Sequence, residues 1–431
     1  MCNSCGNDVK KKKAQITEGD RVLSCAAYGA VNAAARIRGA GVIIHGPRSC
    51  SYMIASSHNE TIMRSIFSNE MKERTIDNIY STDMDDNVSI FGGGEFLERK
   101  LDDVLERGYK IIFVVTTCVS GIIGDNVKDI LERKMSSHPD VMYLTIPTDG
   151  NIMGDYKDGL IYCMSRISEL VERNTVSDMT YVNLIGATFY RIRKDDHMDL
   201  LSRILNGFDL KVNCRFLDNC SLDSIKGFYR AGLDILISDD KEFRTMYDSI
   251  CERNGPRTCL VIPAGIEETE EFITSIGNII GKEDVAASMI EDMKRGYHEE
   301  MERYRRTLTG KRTVIYRDPN SNIDWSIKLI KDLGMDIIRI GCGPTRRDRS
   351  PLDSEYNDTT IFDYTTDMLI DDIDSLRPDI VIGDAFKIAD VNTRWAFAMR
   401  KGMSTEDPLE FAKRVSNIIR IPINDGWKCV I

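Results

Sequence analysis

Residues 41–50 read Gly41-Val42-Ile43-Ile44-His45-Gly46-Pro47-Arg48-Ser49-Cys50. The run Gly41 to His45 is short, apolar and rich in β-branched residues, as a buried strand requires. His45-Gly46-Pro47 forces a turn directly after it. Ser49 and Cys50 then fall at a helix start, where free backbone N–H groups can donate to sulfur and stabilise a thiolate. A cysteine is thereby set at the carboxyl end of a strand.

The same arrangement recurs downstream. The strand Lys110 to Thr116 leads into Thr116-Thr117-Cys118-Val119-Ser120-Gly121-Ile122-Ile123-Gly124-Asp125, where Gly121 and Gly124 allow close backbone approach. A third cysteine, Cys25, opens a helical pattern in Leu23-Ser24-Cys25-Ala26-Ala27-Tyr28-Gly29-Ala30. Around these points short β-rich runs alternate with helical spacing. In the first third the strands are 41–45, 110–116 and 141–146, with helices over 26–38, 94–107, 126–134 and 156–173. A second set has strands at 181–185, 210–213, 233–237 and 258–262 and helices near 195–206, 221–230 and 241–252; a third has strands at 312–316, 336–340 and 379–382. The alternation selects an α/β fold of mostly parallel sheets flanked by helices, in which ligands gather beyond the carboxyl ends of the strands. Cys50 and Cys118 occupy that edge. The expected division is 1–176, 177–308 and 309–431, with the charged, helix-favouring segment 282–308 bridging the second and third domains.

A chain of 431 residues is too long for one core. The apolar runs are far shorter than a membrane span needs, and no secretory signal is visible ahead of the basic run Lys10 to Lys13, so a cytoplasmic protein is expected. A net charge of −11 argues against nucleic-acid binding. Twelve cysteines in such a chain are expected as reduced thiols, either core residues or metal ligands. Cys25, Cys50 and Cys118 do not form a CxxC pair, so a fold must gather them, unlike the local ligand sets of zinc fingers and ferredoxins. Three ligands fall short of the usual four, so the remaining ligands are expected from another chain or from a non-cysteine residue, and a cluster at a subunit interface is the hypothesis that follows.

The three contexts together resemble the nitrogenase component 1 family. The resemblance rests on Cys25, His45-Gly46-Pro47 with Cys50, Tyr80-Ser81-Thr82-Asp83-Met84, Ile90-Phe91-Gly92-Gly93, Thr116-Thr117-Cys118 and Ile123-Gly124-Asp125, in that order. It implies three Rossmann-like domains and an interface iron–sulfur cluster, of P-cluster type (8Fe) or 4Fe–4S, with Cys25, Cys50 and Cys118 on the ligand positions. It also implies a homologous or identical component 1 subunit as partner, an ATP-hydrolysing iron protein as electron donor, and a small-molecule substrate. In keeping with that division, Gly277 to Lys282 is one residue short of a phosphate loop and lacks its hydroxyl residue. The resemblance departs at two places. The cysteine that anchors the large cofactor in catalytic nitrogenase subunits aligns with Asp239, and no histidine follows His298. The expected function is an electron-relaying, nitrogenase-like oxidoreductase subunit; the alternative is a scaffold that holds a cluster or precursor without turnover, and a zinc-binding structural protein is disfavoured by the dispersal of the thiols.

Other residues are read more plainly. Cys2 and Cys5 belong to a polar terminus, Cys163, Cys251 and Cys259 to packing, and His45 to setting its turn rather than to binding metal. Cys214, Cys220 and Cys342 sit near strand ends, where packing is favoured over a pocket role. His58 and the run Arg346-Arg347-Asp348-Arg349 are expected at the surface.

Overall fold

The computed structural model describes residues 25–56, 78–86, 88, 92–148, 153–173, 176–186, 196–216, 220–237, 241–263, 265–317, 324–344, 356, 359–383, 393–396 and 406–422. Cys2, Cys5, His58, Asp239 and Arg346 to Arg349 lie outside these residues. The fold is α/β, with three parallel sheets flanked by helices.

The first sheet contains β1 (Ala40–His45), β2 (Ile79–Ser81), β3 (Ile111–Thr116) and β4 (Met142–Pro147) in the order β2-β1-β3-β4. Every residue of β1 and β3 is buried, which is why these strands read as continuous apolar runs. Their register pairs Ala40 with Ile111 and His45 with Thr116, so the two chains leave the sheet side by side. The helices are α1 (Ala26–Ala35), α2 (48–56), α3 (Gly94–Leu105), α4 (Cys118–Ile123), α5 (Val127–Ser137) and α6 (Tyr156–Ser168).

The second sheet, in the order β6-β5-β7-β8, contains β5 (Asp178–Ile185), β6 (Lys211–Phe216), β7 (Ala231–Leu236) and β8 (Cys259–Val261). Its helices are α7 (Asp196–Gly207), α8 (Leu222–Lys226), α9 (Lys241–Asn254), α10 (Gly265–Ile280) and α11 (Glu283–Lys294). Both sheets belong to one compact unit spanning Leu23–Met293. One hydrophobic core runs through it, joining Ile44, Val115 and Leu160 to Phe216, Phe228 and Tyr247.

The other compact unit carries α12 (Tyr297–Leu308), β9 (Arg312–Arg317), α13 (Asp324–Asp332), β10 (Asp336–Cys342), β11 (Thr360–Phe362), α14 (Thr366–Leu376), β12 (Ile380–Gly383), β13 (Trp395–Ala396) and α15 (Glu406–Arg420). Its strands are parallel in the order β11-β10-β9-β12-β13. Among the described residues no helix is long and apolar enough to cross a membrane.

Several boundaries differ from the sequence reading. The helix expected over 26–38 stops at Ala35, and Gly39 then turns the chain with φ +78°. The helix expected over 156–173 stops at Ser168. The segment 282–308 is two helices, broken where Gly296 adopts φ +80°. The three-residue strand β2 overlaps the start of the Tyr80 to Met84 motif and is too short to show a period.

Candidate functional site

Cys25 is the N-cap of α1, in extended conformation and exposed. Its carbonyl accepts the N–H groups of Tyr28 (3.1 Å) and Gly29 (3.4 Å), and it forms an antiparallel bridge with Asp155. Asp155 in turn caps α6, accepting from Lys157 N–H at 2.9 Å while Asp158 accepts from Asp155 N–H at 2.9 Å. The two helices therefore start together. They pack at backbone distance: a Cβ on Gly29 would lie 1.8 Å from the Tyr156 carbonyl oxygen, and one on Gly159 would lie 1.8 Å from that of Ala26. Asn32 donates to the Tyr156 hydroxyl, whose burial pushes its pKa up to about 12. Cys25 is thus fixed by α6, an element more than a hundred residues downstream.

Cys50 lies in the first turn of α2, half-buried, and donates its N–H to the Pro47 carbonyl at 3.0 Å. Pro47 bridges Met84, with Met84 N–H donating to Gly46 O at 3.1 Å and Arg48 N–H to Met84 O at 3.3 Å. Gly46 is required here, since a Cβ would meet Thr117 Oγ1 at 2.0 Å. Cys118 is the first residue of α4 and is also half-buried. Ser120 Oγ closes this helix start by accepting Thr117 N–H (3.0 Å) and donating to His45 O (2.8 Å); Thr117 N–H also donates to His45 O at 3.0 Å. The turn after β1 is therefore hydrogen-bonded to the turn after β3.

Beneath these turns sits a buried polar clamp. The His45 ring is fully buried, with Nε2 3.0 Å from Asp125 Oδ2 and Nδ1 3.3 Å from Thr82 Oγ1. Asp125 also accepts Gly93 N–H at 2.9 Å, and Thr82 Oγ1 accepts Gly46 N–H at 3.1 Å. Burial lowers the His45 pKa and Asp125 opposes that, so the ring is neutral and donates Nε2–H to the carboxylate. His45 sets its turn, as the sequence implied. Its partner Asp125, eighty residues away, and Thr82 and Gly93 all lie in motifs that carry the family resemblance, but their joining to His45 was not foreseen.

Cys118 and Cys25 both lie within electrostatic reach of Cys50. The acidity expected at a helix start is overridden, however: burial pushes the Cys50 thiol up, the charges of Cys118 and Cys25 push it further, and a hydrogen bond with Ser49 only partly offsets them. Among the described residues no three His, Cys, Asp or Glu side chains are disposed to hold one metal ion.

The helices that present Cys50 and Cys118 also carry apolar side chains facing solvent. Tyr52 is 73% exposed, Met53 66% and Ile122 80%. The sequence reading did not identify these residues, although apolar positions directly after each cysteine were the available signal.

The other cysteines lie elsewhere. Cys163, Cys214, Cys220 and Cys342 are buried, and Cys251 and Cys259 are half-buried against the core shared by the first two sheets. Burial raises Cys163 far above the ordinary thiol range and Cys259 to about 11. Near them Asp234, wholly buried, holds Arg257 in a two-point ion pair and accepts from Asn183 and Tyr247 (2.7 and 2.9 Å). That network is internally satisfied.

Residues 25–398 match the family described as nitrogenase component 1 type oxidoreductase. The chain belongs to that family. Over 349 residues it is 23% identical to the nitrogenase iron-molybdenum cofactor biosynthesis protein NifE of Clostridium pasteurianum, covering 80% of this chain and 73% of the relative. It is 24% identical to a nitrogenase molybdenum-iron protein alpha chain of Methanothermobacter marburgensis, covering 70% of this chain and 65% of that one. The solved structure of nitrogenase Cp1 at pH 5 shares the fold, with a TM-score of 0.73, 15% identity, and coverage of 95% of this chain and 90% of that chain.

Proposed function

We propose that Cys25, Cys50 and Cys118 are this chain's ligands to an iron–sulfur cluster, of P-cluster type or 4Fe–4S, completed by a second component 1 chain, identical or homologous. In this reading the protein is a nitrogenase-like oxidoreductase subunit of the cytoplasm, built of domains 1–176, 177–308 and 309–431. It is charged by an ATP-hydrolysing iron protein and serves a small-molecule substrate. The observation that carries the reading is that the turns presenting Cys50 and Cys118 are hydrogen-bonded side by side, with Cys25 within electrostatic reach of Cys50.

When bound, the cluster would supply one-electron transfer at low potential. The chain's own residues do the rest. The α1–α6 contact holds Cys25, the His45–Asp125 clamp holds the turns that carry Cys50 and Cys118, and the apolar rim keeps water from the ligands once a partner chain covers it.

The similarity to a cofactor biosynthesis protein favours a second reading, a scaffold that holds a cluster or precursor without turnover. Anaerobic co-purification followed by iron and sulfide counting and electron paramagnetic resonance tests the shared premise; zinc without iron would overturn both readings. Candidate substrates then separate them. A relay subunit reoxidises its reduced cluster when its substrate is added, whereas a scaffold stays reduced and loses its cluster to an acceptor protein.

A further inference from the structure

One polar group is left over when the hydrogen bonds of the turns after β1 and β3 are assigned. Thr117 directly precedes Cys118 and is 1% exposed. Its backbone is fully used: the N–H donates to His45 O and to Ser120 Oγ, both at 3.0 Å, and the carbonyl accepts Gly121 N–H at 3.1 Å. Its hydroxyl is different. As the N-cap of α4 it faces the Ser120 N–H in a capping-box arrangement without closing a hydrogen bond there, and among the described residues the buried oxygen has no partner. The side chain lies against Gly46, where an added Cβ would meet its Oγ1 at 2.0 Å and its Cγ2 at 2.6 Å. The polar groups of Gly46 are bonded elsewhere, the N–H to Thr82 Oγ1 and the carbonyl to Met84 N–H. The hydroxyl thus sits where the turn leading to Cys50 touches the turn leading to Cys118, with its proton uncommitted.

Packing does not account for this group. Valine has the same branched shape, and burying a hydroxyl without a hydrogen bond costs free energy that valine avoids. We propose that Thr117 donates its O–H to a sulfur of the cluster held by Cys50 and Cys118, either a ligand thiolate or an inorganic sulfide. The inference rests on the assignment of those cysteines as cluster ligands. Cluster sulfur carries negative charge, and the electron that arrives on reduction adds to it. The bond is therefore stronger in the reduced form, so a donor here raises the reduction potential without adding a ligand.

The test compares Thr117→Val, which keeps the shape and removes the donor, with Thr117→Ser, which keeps the donor. Each full-length chain is purified without oxygen, its iron is counted, and its midpoint potential is read by electron paramagnetic resonance during a redox titration. The valine variant should hold the parent's iron while its reduced-to-oxidised ratio at a fixed potential falls about tenfold, equivalent to about 59 mV for one electron. The serine variant should stay near the parent. Urea unfolding of the metal-free chains gives a second readout: the valine variant should be at least as stable as the parent, because without a cluster the hydroxyl bonds to nothing. An unchanged potential in the valine variant, an equal fall in the serine variant, or a loss of stability in the metal-free valine variant overturns the role of Thr117 alone. A parent chain that carries no iron overturns the cluster assignment, and this inference with it.

Discussion

Cys50 and Cys118 stand at helix starts beyond the carboxyl ends of β1 and β3 and partly reach solvent, whereas Cys163, Cys214 and Cys220 lie on packed faces of the same compact unit. Burial raises Cys50 as it raises Cys163. Position separates them. A strand end followed by a turn aims a side chain out of the sheet, and two adjacent strands in register aim two side chains at one place. Within a helix or strand face the same side chain is a small apolar filler.

The sharpest way to break this contrast is to remove one thiol from each group. Cys118→Ala should lose most of the bound iron and its visible absorbance while α4 persists, since alanine favours helices. Cys163→Ala should keep its iron and lose about 1 kcal/mol of stability. Equal iron loss in the two variants would erase the distinction between edge and core.

The next largest effect lies in the second sheet. Asp234→Asn leaves Arg257 buried without its counter-charge, and urea unfolding should show a loss of about 3–5 kcal/mol. Iron content at a temperature where the variant remains folded should be nearly unchanged, because that network supports the sheet rather than the thiols.

Gly159→Ala puts a methyl group against the Ala26 backbone and should cost about 1–3 kcal/mol. It should also lower iron occupancy through displacement of Cys25. Gly227→Ala, where a Cβ would meet nothing within 4 Å, should stay within about 0.5 kcal/mol of the parent chain with full occupancy. If both glycine variants load iron equally, the α1–α6 contact has no part in placing Cys25.

The smallest effect is a pH dependence. His45 is held below its ordinary value of 6.5, so the unfolded chain takes up a proton near that pH that the folded chain resists. Its contribution to stability is complete above pH 6.5 and declines as the pH falls from there toward the folded value. His45→Gln should flatten that decline in urea titrations run between about pH 7.5 and 5.5; an unchanged slope would remove His45 as its source.

Much of the architecture was readable because β1 and β3 are covered on both faces and must be apolar throughout. The helix starts at Cys50 and Cys118 followed from the turn residues before them. The role of Cys25 was not readable from its local pattern, since the family resemblance named it and the Asp155 bridge positions it. The clamp of His45 by Asp125 was hidden for the same reason: a hydrogen bond across eighty residues leaves no local period. Gly29 and Gly159 could be seen as glycines, but nothing nearby in the chain says that each must pass another helix's backbone.

What the amino-acid order determined alone was the βα alternation, the parallel sheets and the placing of two cysteines just past strand ends. Each of these follows from neighbouring side chains and the turns between them. Tertiary structure decided the rest: the seating of Cys25 against Asp155, the hydrogen bonds that join the turn after β1 to the turn after β3, and the exposure of Tyr52, Met53 and Ile122 to water. Those outcomes depend on register and helix packing between segments far apart in the chain, where the energy of a contact exists only after both partners have been brought to it.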